Sequence, residues 1–260
     1  MKMKPMRAAS VRLLSLWAAS FLAATAGFTI LAAQTIPGAS AKLARSAMFP
    51  PARPASTGGS VLSSDHGKFR IMINGQDVGK EEFEIGGGGG GWIAHGSSEI
   101  QTPQGITKVS GTLQLRDDAT PTHYEWSTSG AKKASATIEF NGPSATVVLH
   151  LEGSRPYTQS FTFGSPRVVV LDNNLYYQYA ILARLYDWNK KGTQTFSVLV
   201  PQEMTPGTVT VDSVGKQDVN GKKLEELVVK TEDIELDLYL DGPRLMRIVV
   251  PSANAEIDRE

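Results

Sequence analysis

The sequence predicts a mainly β protein: one large curved antiparallel sheet or open β-barrel with a single central or flanking α-helix. Three observations carry this. Apolar and polar residues alternate at period two through most of the chain beyond residue 65, turn dipeptides punctuate the alternation, and only Asp172–Gly192 reads as a long helix. About a dozen strands in antiparallel order, with no parallel β-α-β rhythm, favour a sheet that curls to hide its edges.

The chain begins with Lys2, Lys4, Arg7 and Arg12 and no acid, followed by the uncharged run Leu13–Ala33. Residues 1–33 read as an export signal, with small-residue exits after Ala33 and Ala41. At 21 residues the run also reaches the length of a membrane span, so an uncleaved inner-membrane anchor is the alternative to cleavage. Either way the remainder is expected in the periplasm or another extracytoplasmic space. Residues 34–64, rich in Pro, Gly, Ser and Ala, read as a flexible linker whose Lys42, Arg45 and Arg53 serve solvation. Residues 65–255 are expected to form one β-rich domain, and 256–260 a tail.

There is no cysteine, which excludes disulfides, thiolate metal sites, a cysteine nucleophile and a lipidated cysteine after the signal. The exported domain must cohere through its core alone. The formal charge of zero conceals an asymmetry: without the four basic residues of the signal, 22 basic residues face 26 acids. With no basic face interleaved with aromatics, nucleic acid is excluded as a partner, and membrane contact is confined to the N-terminal segment if it stays uncleaved.

The first strand alternates Phe69, Ile71 and Ile73 with polar residues and ends in Asn74-Gly75, a strong short hairpin signal. The same grammar recurs at Ala134–Phe140 before Asn141-Gly142, and at Ile234–Leu240 before Gly242, with Leu245–Val250 returning; Asn220-Gly221 marks a further turn. Other strands are expected at Gly91–Ile100, Ile106–Arg116, Thr122–Thr128, Tyr157–Phe163, Thr195–Val200, Gly207–Val214 and Lys223–Thr231. One apolar and one polar face per strand describes an antiparallel sheet with one side in water.

For the helix, Asp172 (or Asn173 or Asn174) is the expected N-cap, Lys190 and Lys191 suit the negative end of the macrodipole, and Gly192 suits the left-handed position after the last turn. Leu175, Tyr179, Leu182 and Tyr186 share one face, while Tyr177, Ile181 and Trp188 lie opposite. A helix so apolar needs cover on more than one side. It reads as a core helix plugging or flanking the sheet; the alternative is that its tyrosines and arginine line a cavity. On that alternative the ligand-binding residues are Tyr176, Tyr179, Arg184, Tyr186 and Trp188. A buried Arg184 needs a carboxylate, and Asp187, three residues on, is the nearest in sequence.

Catalytic signatures are missing. The six consecutive glycines Gly86–Gly91 match G-x-G-x-x-G trivially, but Trp92-Ile93-Ala94 continues as a strand, so a floppy hairpin loop is expected instead of a phosphate cradle. His66, His95, His123 and His150 lack metal-ligand spacing, and the acid pairs Glu81-Glu82 and Asp117-Asp118 read as rim and turn residues. No catalytic residue, metal site or cofactor is indicated.

The run LYYQYAILARLYDW at Leu175–Trp188, the later TQTFSVLVP and GTVTVDSVGKQDVNGKKLEELVVKTEDIELDLYLD, the closing RLMRIVVP and the early FRIMINGQDVGKEEFEI resemble the exported bacterial families of unknown function typified by domain-of-unknown-function family 3108. The resemblance spans most of residues 68–251 and lies in the placing of strands, helix and turns. It implies an envelope protein with a curved antiparallel sheet around a helix, and no activity; the glycine run and the missing lipidation site are not part of that pattern. Two function classes follow: a non-enzymatic envelope protein that binds a lipid or other apolar ligand or an envelope protein partner, and an envelope-polymer hydrolase assembled from scattered acids and histidines.

Overall fold

The computed structural model describes residues 61–260 apart from 89, 131, 132 and 232; the segment expected to be an export signal and nearly all of the expected linker lie outside the described residues. Fifteen strands form one sheet: β1 (Asp65–Ile73), β2 (Gln76–Gly88), β3 (Gly91–Thr102), β4 (Gly105–Arg116), β5 (Pro121–Ser129), β6 (Ala134–Asn141), β7 (Ser144–Leu151), β8 (Tyr157–Thr162), β9 (Val168–Val170), β10 (Gln194–Val200), β11 (Thr205–Val219), β12 (Lys222–Lys230), β13 (Glu235–Asp241), β14 (Arg244–Val250) and β15 (Ala255–Arg259). Among the described residues there is one α-helix, α1, Tyr177–Leu185.

The sheet order is β8-β7-β6-β5-β4-β3-β2-β1-β15-β14-β13-β12-β11-β10-β9. The chain therefore walks outward from β1 to one edge, and β9 begins at the other. Residues 163–167 join these two edges, and so short a connection spans at most about 20 Å. Fifteen strands laid flat would put the edges roughly 65 Å apart at the usual strand spacing. The sheet must curl until its edges approach, which makes it barrel-like although β8 and β9 do not pair.

Alternation directs the core. In β2 the sequence Glu81, Phe83, Ile85 turns inward while Glu82 and Glu84 face solvent, and the same phase buries Leu113 and Leu115, Ile138 and Phe140, and Leu236, Leu238 and Leu240. Asn74-Gly75 and Asn220-Gly221 take positive φ at both residues, the conformation a two-residue hairpin needs to match strand twist.

Several expectations are corrected. Residues 256–260 are no tail: β15 pairs with β1 through Phe69↔Arg259 and Ile71↔Ile257 and with β14 through Ile248↔Ile257, joining the two halves of the meander. Leu62, assigned to the linker, is buried in the core. The glycine run is not a floppy loop, because Gly86, Gly87 and Gly88 pair with Ile93, Trp92 and Gly91 in a tight hairpin, and the Trp92 ring lies where a Gly87 side chain would sit. The sheet also contains one parallel pair, β9 with β10, so a single β-α-β unit stands at the seam with α1 as its crossover.

The helix itself is shorter than Asp172–Gly192 at both ends. Asn174 has a φ of 80°, which breaks the helical path, and Asp172 is drawn into the interior instead of capping. At the other end, Tyr186 is extended, and the Gln194 amide holds the Asp187 backbone N–H at 2.9 Å and its C=O at 2.8 Å. Lys190, Lys191 and Gly192 therefore lie in the following loop.

Candidate functional site

Two polar clusters flank the helix, and both are sealed. The first lies at its N-terminus, where no side chain from the helix segment supplies a cap. Glu81, from the inner face of β2, takes that role: its carboxyl accepts the N–H of Tyr176 at 2.6 Å and of Tyr177 at 3.0 Å. A helix exposes unpaired N–H groups at this end, and an acid from another strand satisfies them as a local cap would. Next to it the Tyr124 hydroxyl donates to the Asp172 carboxyl, the Gln178 amide donates to the Tyr124 hydroxyl at 3.1 Å, and the Gln178 carbonyl accepts the Asp172 N–H. Tyr124, Asp172 and Gln178 thus close a ring of hydrogen bonds that pins α1 to β5.

The sheet is shaped to receive this end of the helix. Gly96 of β3 pairs with Gly111 of β4, between Phe83 of β2 and Trp126 of β5. A side chain at Gly96 would collide with the Tyr177 ring, and one at Gly111 with Leu175 and the Tyr124 hydroxyl. The paired glycines make a trough in which Tyr177 lies, fully buried. Burial pushes the Glu81 carboxyl up to about 8, against the two backbone N–H bonds that pull it down. Asp172 is also driven well above the ordinary range, first by burial and then by the nearby Glu81 charge, against the Tyr124 hydrogen bond.

The second cluster lies beside the C-terminal half of α1. Asp65, at the start of β1, meets Arg184 at 2.7 Å and Arg259 of β15 at 2.7 Å, and Arg259 lies 5.3 Å from the Phe83 ring centroid. Arg184 also donates to the Pro243 carbonyl at 3.1 Å. Burial alone would raise the Asp65 carboxyl, but the two guanidinium groups together hold it below its ordinary value. The partner of Arg184 is therefore Asp65, 119 residues earlier, and not Asp187, whose carboxylate serves the turn through Asn189 and Lys190.

The five helix residues singled out by sequence are dispersed. Tyr176 is buried beside Glu81, Tyr179 is half-buried, and Arg184 turns to Asp65. The Tyr186 hydroxyl donates to the Gly192 carbonyl at 2.9 Å, and Trp188 stands edge-on to Tyr186 with centroids 5.0 Å apart. They point in several directions and do not converge on one opening. Glu81, Tyr124, Asp172 and Gln178 were missed, as were Asp65 and Arg259. Glu81 did carry a signal, since it occupies the apolar phase of a strand that continues with Phe83 and Ile85. Depressions of the surface lie on the outer face, one over Ser110, Thr112, Glu125, Ser127, Ser135 and Thr137, another over Arg70, Val78, Lys80 and Glu99. Both are shallow and open. Among the described residues no group of three or more histidines and acids is arranged to hold a metal ion.

No family model matches the chain, and no curated protein matches it. Among solved structures, a beta-barrel-like protein of domain of unknown function DUF1849 from Brucella abortus is similar in fold, with a TM-score of 0.51 over 78% of this chain and 97% of that one, at 8% sequence identity. The likeness is one of fold. It supports a β-rich, barrel-like fold, and the finer resemblance to family 3108 gains nothing from it.

Proposed function

We propose that the protein is an exported, non-enzymatic envelope protein that serves a protein partner through its outer surface. The observation that carries the reading is that the chain's own helix occupies the barrel interior: Leu175, Tyr177, Ala180 and Leu182 are fully buried there. A carrier of apolar ligands keeps that volume open. The acids with the most perturbed protonation, Glu81 and Asp172, are buried beneath the helix, where a polymer substrate has no access, so the hydrolase reading finds no support at this cluster. Export rests on the basic start and uncharged run of residues 1–33.

The partner is an extended segment of another envelope polypeptide, added as a strand beside β8. Among the described residues β8 pairs only with β7, so its outer backbone groups remain available, and Tyr157 on it and Leu151 next to it are exposed. A photo-crosslinking side chain placed at Tyr157 in the full chain, expressed in its native host, is expected to give a discrete adduct with one polypeptide. The same group at Val214, which is exposed on β11, is expected to give none. No adduct at Tyr157, or equal adducts at both positions, would contradict the reading.

A further inference from the structure

The cluster at the start of α1 has an unusual charge economy. Glu81 is fully buried and Asp172 nearly so, and both approach the same helix terminus. The titratable groups around them are Tyr124 from β5 and Tyr176, Tyr177 and Tyr179 from the helix segment; Glu203, bonded to Asn173, is the next acid outward. Among the described residues no cation acts on either carboxyl, and Arg184 and Arg259 are committed to Asp65. Two buried carboxylates in one site without a cation cannot both stay ionised.

We propose that Glu81 and Asp172 form a proton-operated latch: while both carboxyls are protonated the N-terminal end of α1 stays seated in the barrel, and their ionisation releases it. A protonated carboxyl still accepts the Tyr176 and Tyr177 N–H groups, so the latch closes without a charge. Ionisation requires water to reach the acids, and the least costly route is movement of the segment Leu171–Gln178 away from the Gly96–Gly111 trough. Because the Glu81 carboxyl rises on folding from 4.5 to about 8, the seated state is favoured in acid and weakens as pH climbs through that interval. The tyrosines stay neutral there, since burial raises them too. The release is local, because the β ladders on either side do not depend on the two acids.

The test is hydrogen–deuterium exchange of the full chain between pH 6 and 10, corrected for base-catalysed exchange. Protection of the amides of residues 175–181 is expected to fall at least about tenfold across the range while those of β12 and β13 keep theirs. Glu81→Gln is expected to reduce the pH dependence, and the double variant Glu81→Gln/Asp172→Asn to abolish it. Protection that does not vary with pH in the unaltered chain, or an unchanged profile in Glu81→Gln, would overturn the latch. If Glu81→Gln does not fold, infrared spectroscopy of the unaltered chain decides: a protonated-carboxyl band present at pH 6 and lost by pH 10 supports the proposal, and its absence at pH 6 refutes it.

Discussion

Substituting Gly96 by alanine is the simplest perturbation of the seat in which the helix rests. The new Cβ would lie 2.5 Å from Tyr177 Cε1 and 3.0 Å from Glu81 Oε1. The ring has nowhere to retreat, because Tyr177 is fully buried and its backbone N–H is fixed to Glu81. Overpacking of this kind costs about 1–3 kcal/mol, and replacing a strand glycine returns about 0.5–1 kcal/mol. The net loss is about 1–2 kcal/mol, which in a fold of this size lowers Tm by about 2–8 °C. Thermal unfolding followed by circular dichroism reads it directly. Gly86→Ala is the control, since nothing lies within 4 Å of its added Cβ, and it is expected to be neutral or mildly stabilising. Pairing Gly96→Ala with Tyr177→Ala closes a double-mutant cycle whose coupling should match the overpacking cost. A Gly96→Ala protein as stable as the unaltered chain would refute the trough.

Asp65→Asn leaves Arg184 and Arg259 buried and uncompensated and is expected to cost about 3–5 kcal/mol, measured by urea unfolding. Stability should pass through a maximum with pH. Asp65 is held below its ordinary value, so its contribution is full above pH 3.8 and is lost as pH falls through the lower folded value; Glu81, raised from 4.5 to about 8, costs stability as pH rises across that window. In urea titrations Glu81→Gln should flatten the alkaline limb and Asp65→Asn the acid limb. Removing residues 255–260 deletes β15 and Arg259 together and is expected to abolish cooperative unfolding, because β1 and β14 both lose their ladder partner.

The fold was legible where the code is local. Period-two alternation and the Asn-Gly turns at residues 74–75 and 220–221 located strands to within a few residues, and the apolar run after Asn174 located the helix. What escaped was decided by residues far apart in the chain. Asp172 looked like a cap because caps are read from neighbours, yet the acid that caps α1 is Glu81, 95 residues away. Arg184 found Asp65 for the same reason, since its ion pair exists only once β1 and the helix are packed together. Residues 255–259 carry the alternation Ala255, Ile257 but are too short to announce a strand without β1 beside them. Gly96 and Gly111 look like ordinary strand interruptions in sequence; only their register shows that they form one trough.

The helix fills the barrel interior, and native mass spectrometry of the full chain, purified without detergent, bears on this without any substitution. No lipid or other apolar ligand is expected to accompany the protein, and organic extraction is expected to leave its mass unchanged. A stoichiometric mass removed by extraction would contradict it, because such a ligand could be held inside only if α1 did not occupy that space.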